Sequence, residues 1–483
     1  VVVLIGDASL SAGMSFEGLN NLGYLKTDML IVLNDNNMSI SPSTGAISNY
    51  LKKASAYYPE YLELRKDIEE VLKKVSPLNI LQKKLRLNEI IRPLISPGAL
   101  FDELGIRYYG PVDGHNISEL ISVLRHIKEI KCPVILHTLT QKGKGYVFAE
   151  RDENEKLHGM TPFNITNGEK YKKQGVVTYT EIFSETMIRL AHINKNIVVI
   201  TAAMKIGTGL KNFEKVFPNR FFDVGIAEQH AVTFAGGLAR DGLLPVCAIY
   251  STFLQRAYDQ IVHDICLQNL PVIFAIDRAG LVGEDGATHQ GSFDIAYLRM
   301  LPNMVVMVPK DENELQDMLY TATLLNNPCA VRYPRGSGIG VALEQSLREI
   351  EIGKAEIIRR GKDKLAIIGI GPVLYDAIKA CDELKISATI VNARFVKPID
   401  NELINDVVSH SNKVILIEEG VLNGGFCSAV IECLERRNRN KNIKVLGIPD
   451  IFIEHATQSI QRDSCGLSKG GIKRAIDEML NNR

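Results

Sequence analysis

The sequence has no surplus of charge of either sign: 56 Lys and Arg balance 56 Asp and Glu, for a formal net charge of zero. Without a basic surplus there is no sequence-independent pull on phosphate backbones, which excludes a general nucleic-acid binder and leaves only local anion sites. No apolar run approaches the ~18–20 residues that cross a bilayer, so no membrane-spanning helix is expected. The eight cysteines, at 132, 247, 266, 329, 381, 427, 433 and 465, include no C-x-x-C pair and no histidine at zinc-finger spacing. That removes a thiolate metal site and predicts reduced, mostly buried thiols. Fixed-period repeats are absent too. The chain opens on Val-Val-Val-Leu-Ile, with neither an initiator Met nor the basic flank of a signal peptide. It reads as a buried strand entered abruptly, and a segment upstream of Val1 is expected.

What is present is the composition of an ordinary globular protein, 46% hydrophobic and 23% charged. At roughly 100–200 residues per domain, 483 residues predict about three domains. Val1–Ile5, Met29–Leu33 and Pro133–Leu139 read as strands, with helical patterns at 10–22 and 59–95 and a loop at Gly110–His115, a βαβ pattern. Between about 142 and 174 the chain is rich in Gly, Lys, Glu and Asn, the composition of a linker. A second α/β unit follows from Thr178, with a helix through Ala191, strands at Ile197–Thr201, Phe221–Val224, Val246–Tyr250 and Val272–Asp277, and a Gly/Ala-rich helix at 230–240. Strands at Lys364–Ile370, Ala388–Val391 and Val414–Glu418 mark a third. The expected division is 1–150, a linker at 151–175, then 176–342 and 350–483.

Asp7 and Asn36 each stand just past a predicted strand, with 28 residues between them. One carboxylate and one amide oxygen at the carboxyl ends of neighbouring strands suit a hard cation such as Mg2+, which takes oxygen ligands. A helix-capping Asp7 and a turn-forming Asn36 account for either residue taken alone, while the pair with its shared topology speaks for the cation. Glu228 follows a strand and opens a small-residue helix; shielded from water, it would hold its proton to higher pH, and as a first-turn acid it would simply favour the helix dipole. Tyr250, Arg278 and Arg335 offer a hydroxyl and two guanidinium forks for a phosphate monoester. Loop arginines also form surface ion pairs of little value.

These residues carry a resemblance. Gly6-Asp7 with Asn34-Asp35-Asn36 is similar to the thiamine-diphosphate and Mg2+ motif. Asn34–Ser41 (NDNNMSIS), Ser251–Gln260 (STFLQRAYDQ), Thr288-His289-Gln290-Gly291 and Tyr333–Gly336 (YPRG) resemble the 1-deoxy-D-xylulose-5-phosphate synthase family of the transketolase superfamily. The similarity extends over nearly the whole chain.

The resemblance implies three doubly wound α/β domains of transketolase type, the first N-terminally incomplete. It implies decarboxylation of pyruvate and carboligation to glyceraldehyde 3-phosphate, a step that feeds isoprenoid, thiamine and pyridoxal synthesis. Asp7, the Asn36 side chain and the Met38 carbonyl would hold Mg2+; Ala8, Ser9 and Tyr146 would line the thiamine diphosphate. Glu228 would bond the aminopyrimidine and Phe253 would stack on it. Tyr250, Arg278 and Arg335 would grip the acceptor phosphate, while His158, Asp285 and His289 would stand near the reacting carbonyl and hydroxyls. A homodimer is implied as well; the reduced thiols and the lack of a secretory signal suggest the cytoplasm, and the charge balance and hydropathy suggest no nucleic-acid or membrane partner. Two departures stand out. Ala8 replaces the family's glycine, tolerable only at negative φ, and the family's upstream histidines and Gly-His-Ser-like loop are outside these residues, which would leave the cofactor site open on one side. Alternatives remain: a transketolase, a 2-oxo-acid dehydrogenase E1 component, or a non-catalytic fragment of the same fold.

Overall fold

Runs rich in Val and Ile form three mainly parallel sheets, the arrangement that suits strands covered on both faces. The structure, a computed structural model, describes residues 1–38, 44–56, 98–152, 156–159, 162–169, 171, 175–434 and 440–481. The chain packs as two units, Val1–Lys173 with Asp223–Ala227, and Gln174–Phe222 with Glu228–Arg483. Among the described residues no helix is long and apolar enough to cross a membrane. All eight cysteines are free thiols, five of them buried.

In the first unit, β1 (Val2–Gly6), β2 (Leu30–Asp35), β3 (Arg107–Asp113) and β4 (Val134–Leu139) form one parallel sheet in the order β1-β2-β4-β3. Ile31, Leu33, Ile135 and Phe101 lie in its core. Gly110–Asp113, expected as loop, belongs to β3. Pro111 has no N–H to give a ladder, and an edge strand with a register shift between Tyr109 and Val112 accommodates it. The helix expected at 10–22 is also broken: one short helix runs Asp7–Leu10 and a second Gly13–Leu25, because Ala12 between them is extended. The short helix Val147–Arg151 falls in the stretch read as linker. The helical pattern at 59–95 lies outside the described residues.

A buried polar chain crosses this sheet. His137 on β4 bonds Asp35 Oδ2 through Nε2 at 2.9 Å and the Tyr108 hydroxyl through Nδ1 at 2.7 Å. Asp35 and His137 are 1% and 0% exposed, so the carboxylate depends on His137 and on the Asn37 N–H, 3.0 Å from Oδ1, rather than on water. Replacing His137 by Leu removes a donor from a buried acid and is expected to lower the unfolding free energy by about 3 kcal/mol. Urea denaturation measures it, and a change below about 1 kcal/mol would deny the pair that weight.

In the second unit, seven strands run in the order β14-β9-β10-β8-β7-β5-β6, comprising β5 (Ile197–Thr201), β6 (Phe221–Asp223), β7 (Leu244–Tyr250), β8 (Ile273–Asp277), β9 (Val305–Met307), β10 (Cys329–Arg332) and β14 (Phe395–Lys397). The β5–β7–β8–β10–β9 pairings are parallel and β14 adds antiparallel to β9. A capping box between Thr178 and Glu181 starts the helix Tyr179–Ile193, which buries Tyr179, Phe183 and Met187 in the core of this sheet. Five further strands stand in the order β11-β13-β12-β15-β16: β11 (Glu356–Arg359), β12 (Leu365–Gly369), β13 (Thr389–Asn392), β15 (Lys413–Val421) and β16 (Asn442–Ile448). The mixed α/β class with parallel sheets, expected from the sequence, is the architecture observed.

Candidate functional site

In the first unit the carboxyl ends of β1 and β2 emerge side by side, because Gly6 pairs with Asn34 in parallel register. Asp7 is the first residue of the helix Asp7–Leu10 and is 5% exposed. Ala8 and Ser9 follow on that helix. Ala8 is helical and absent from the positive-φ residues, so its methyl group causes no backbone strain. Past β2, Asn36 Oδ1 accepts from the Met38 N–H at 3.0 Å, and Asp35 Oδ1 accepts from the Asn37 N–H at 3.0 Å. These two nested side-chain turns hold Asn37 at φ 56°. One bond leaves an amide oxygen a second lone pair for a cation. Among the described residues no group of three or more His, Cys, Asp or Glu could hold a metal. A cation at these strand ends would therefore draw on carboxylate, amide and carbonyl oxygens, the donors that Mg2+ prefers.

The remaining first-unit residues are placed differently. The Tyr146 hydroxyl donates to the Ile165 carbonyl at 2.8 Å, and its ring packs against Phe148 and Phe163 with centroids at 5.5 and 6.0 Å. His158 stands exposed on a turn at 156–159.

In the second unit Glu228 opens the helix Glu228–Arg240 and is 3% exposed. Oε2 lies 3.3 Å from Arg256 Nη1, yet no hydrogen bond reaches this buried oxygen. Burial pushes the carboxyl pKa up, and the Arg256 charge only partly opposes it. Such a group keeps its proton further toward neutral pH than an ordinary glutamate and is free to share it.

Downstream, Tyr250 ends β7 and Phe253 sits on the helix Ser251–Leu254. Their rings stack with centroids 5.6 Å apart, and the His289 ring meets Phe253 edge-on at 5.5 Å. The Arg278 guanidinium carbon lies 4.3 Å from the centre of the Tyr250 ring. Burial pushes the Tyr250 hydroxyl pKa up, so it remains a donor at neutral pH. Arg278 follows β8 at φ 58°, a left-handed backbone that a bulky side chain adopts only when anchored. Its Nη1 donates to Asp277 at 2.6 Å, Gly207 O at 2.8 Å and Thr180 Oγ1 at 3.0 Å. Arg335 Nη1 donates to Glu284 Oε2 at 2.9 Å, and Nε lies 3.3 Å from Asp285 Oδ2. Tyr250, Phe253, Arg278 and His289 thus form one chain of ring contacts, and Arg335 with Asp285 a second, charged cluster.

Residues 1–140 match the family model described as 1-deoxy-D-xylulose-5-phosphate synthase. Residues 176–339 match the transketolase pyrimidine binding domain and 353–472 the transketolase C-terminal domain. A 1-deoxy-D-xylulose-5-phosphate synthase of Syntrophus aciditrophicus (strain SB) is 50% identical over 490 residues, covering 100% of this chain and 75% of the relative. The chain belongs to the 1-deoxy-D-xylulose-5-phosphate synthase family. Among solved structures, a split gene transketolase, described as an inactive beta4 tetramer, is 31% identical with a TM-score of 0.57, over 63% of this chain and 99% of its own. A transketolase from Campylobacter jejuni subsp. jejuni NCTC 11168 is 16% identical with a TM-score of 0.55, over 99% of this chain and 77% of its own, and shares the fold.

As a 1-deoxy-D-xylulose-5-phosphate synthase family member, the protein is a transferase that depends on thiamine diphosphate, with Mg2+ as the usual metal. The residues present fit both. A buried carboxyl oxygen without a hydrogen-bond partner, in the pyrimidine-binding region, suits a ring nitrogen. The oxygen donors past β1 and β2 suit a hard cation carrying a diphosphate. Sequence reading left Arg256 out of the site, although its guanidinium is the charge nearest Glu228; nothing in the spacing of an acid and a base on separate helices announces their pairing. It also left out Glu284, which shares Arg335 with Asp285.

Proposed function

We propose that this chain catalyses the reaction of its family's name, joining pyruvate and D-glyceraldehyde 3-phosphate into 1-deoxy-D-xylulose 5-phosphate with loss of CO2. The observation that carries the reading is the buried Glu228 carboxyl, with a raised pKa and an Oε2 that no hydrogen bond reaches, at the head of a helix in the pyrimidine-binding region. When bound, thiamine diphosphate supplies the nucleophilic carbon and the electron sink that decarboxylation needs. Asp7, Asn36 and the Met38 carbonyl would hold Mg2+, with Ala8, Ser9 and Tyr146 beside the cofactor. Glu228 would give its proton to the pyrimidine ring nitrogen, and Phe253, its other face held by Tyr250, would offer the ring a stacking surface.

Tyr250, Arg278 and Arg335 would receive the acceptor phosphate. Arg335 now faces two carboxylates, so a phosphate binds by displacing Glu284 or Asp285 from the guanidinium fork. His289 and Asp285 would contact the reacting carbonyl and hydroxyls, a role that the family resemblance also gives to His158. The division into 1–150, 176–342 and 350–483 joined by a linker is part of this reading. So is a homodimer, the assembly that the family resemblance implies. Eight free thiols support a reducing, cytoplasmic setting.

Purified protein with thiamine diphosphate and Mg2+ is expected to release CO2 efficiently only when pyruvate and glyceraldehyde 3-phosphate are both present. Efficient release from pyruvate alone would count against carboligation, and no release with both substrates would favour a non-catalytic fold.

A further inference from the structure

The loop after Arg278 carries Glu284, Asp285 and His289, and its entry, Leu281-Val282-Gly283, leads into the 3-10 turn Gly283–Asp285 and belongs to no strand ladder. Side chains take the ladder's place. The Leu281 N–H donates to Glu419 Oε1 at 2.9 Å and its carbonyl accepts from Gln458 Nε2 at 2.7 Å. The Val282 N–H donates to Gln290 Oε1 at 2.9 Å and its carbonyl accepts from Arg335 Nη1 at 2.5 Å. The Gly283 N–H donates to Gln461 Oε1 at 2.8 Å, and Gln461 Nε2 donates back to the Gly283 carbonyl at 3.1 Å. Every backbone polar group of three consecutive residues is thus held by a side chain, three of those side chains coming from beyond β12.

Gln461 is the most constrained of them. It is 1% exposed and donates also to the Glu454 carbonyl at 2.9 Å. Gln458 and Gln461 stand three apart on the helix Gln458–Ser464, hence on one face. Gln458 Nε2 reaches the Arg335 carbonyl at 3.2 Å as well, so this one helix face ties Arg335 and the acid turn together. Glu419 is itself fixed by Arg462 Nε at 2.9 Å. Gly283 has φ 75°, and a Cβ there would stand 3.1 Å from Gln458, which explains a glycine at the point where the helix face closes on the loop.

We propose that Gln461 is a positioning residue for the aldehyde acceptor: its two-point grip on Gly283 fixes the loop entry whose Val282 carbonyl anchors Arg335 and which leads to Asp285. The helix of the C-terminal region is therefore part of the acceptor apparatus. This rests on the reading of Arg335 and Asp285 as acceptor-binding groups. A buried amide gripping a backbone in two places fixes position without contributing charge, and a displacement of about 1 Å at a binding group is costly.

The test is Gln461→Met, which keeps the volume and removes both bonds, studied as holoenzyme with thiamine diphosphate and Mg2+. The KM for glyceraldehyde 3-phosphate is expected to rise about tenfold, with kcat and the KM for pyruvate within about twofold of the parent. Amide hydrogen exchange in the cofactor-free protein is expected to quicken at 281–285 and to stay unchanged in β8. An equal rise in both KM values, or parental exchange at 281–285, would overturn the proposal. If Gln461→Met does not fold, Gln461→Glu, which keeps the size and the acceptor for the Gly283 N–H but loses the amide donor to the Gly283 and Glu454 carbonyls, takes its place in the same measurements, with the same results supporting or overturning the proposal. Parental protein inert toward both substrates would overturn the functional reading and this proposal with it; parental turnover beside unmoved exchange in the variant would overturn the proposal alone.

Discussion

Replacing Glu228 by Gln is expected to lower turnover about 10²–10⁴-fold while thiamine diphosphate still binds. The side chain keeps its size and its place at the head of the helix Glu228–Arg240, so the cavity for a pyrimidine ring survives. What disappears is a carboxyl that can give a proton and take it back. In the parent, burial raises its pKa, and a backbone hydrogen bond and the Arg256 charge only partly oppose it, so the group holds its proton to higher pH than an ordinary glutamate. Kinetics with both substrates, calorimetry for thiamine diphosphate and deuterium exchange at its C2 position separate the outcomes. Retained affinity with lost exchange supports the role; parental exchange rates would remove it.

The same substitution should show the cost of the group to the fold. An acid with a raised folded-state pKa holds its proton more tightly in the native than in the unfolded chain, so its stabilising contribution is complete at low pH. That contribution is lost as pH rises through the folded value. The amide of Glu228→Gln does not titrate. The cofactor-free variant is therefore expected to gain on the parent in melting temperature as pH goes from about 5 to about 8.

Much of the fold was legible because the central strands are covered on both faces and must be apolar throughout. Ile197–Thr201 and Leu244–Tyr250 are buried at every position, so the run itself marks the strand. Edge strands have no such requirement. Arg107–Asp113 mixes exposed and buried positions and contains Gly110-Pro111, and the sequence there reads as a loop. The three residues of β14 are too short to carry a period, and their antiparallel pairing with β9 is a tertiary choice that no local pattern records.

The candidate site divides the same way. Tyr250, Phe253, Arg278 and His289 lie within 40 residues of one another and come from motifs that the sequence displays, and the structure brings their side chains into contact. Arg256 beside Glu228 and Gln461 on Gly283 were not legible, the second pair being 178 residues apart. Such partners answer a geometric demand, an unpaired charge or an unladdered backbone, that exists only once the chain has folded.

Arg335→Met is expected to raise the KM for glyceraldehyde 3-phosphate about 100-fold and to leave the KM for pyruvate nearly unchanged. A guanidinium fork matches a phosphate in two places, and the charge-assisted pair is worth a few kcal/mol when partly shielded from water. Arg335 is partly shielded, 27% exposed in its side chain, and its other contacts hold the turn at Glu284 and Asp285. Its loss therefore acts in two ways, by removing a phosphate contact and by loosening a loop. Comparison of the phosphorylated aldehyde with D-glyceraldehyde separates them. If the phosphate contact dominates, the preference for the phosphorylated acceptor collapses in Arg335→Met. If only the loop is disturbed, both aldehydes suffer alike. Arg335→Lys keeps the charge but not the fork and should fall between parent and Met variant. An unchanged preference in Arg335→Met would move the phosphate to other residues.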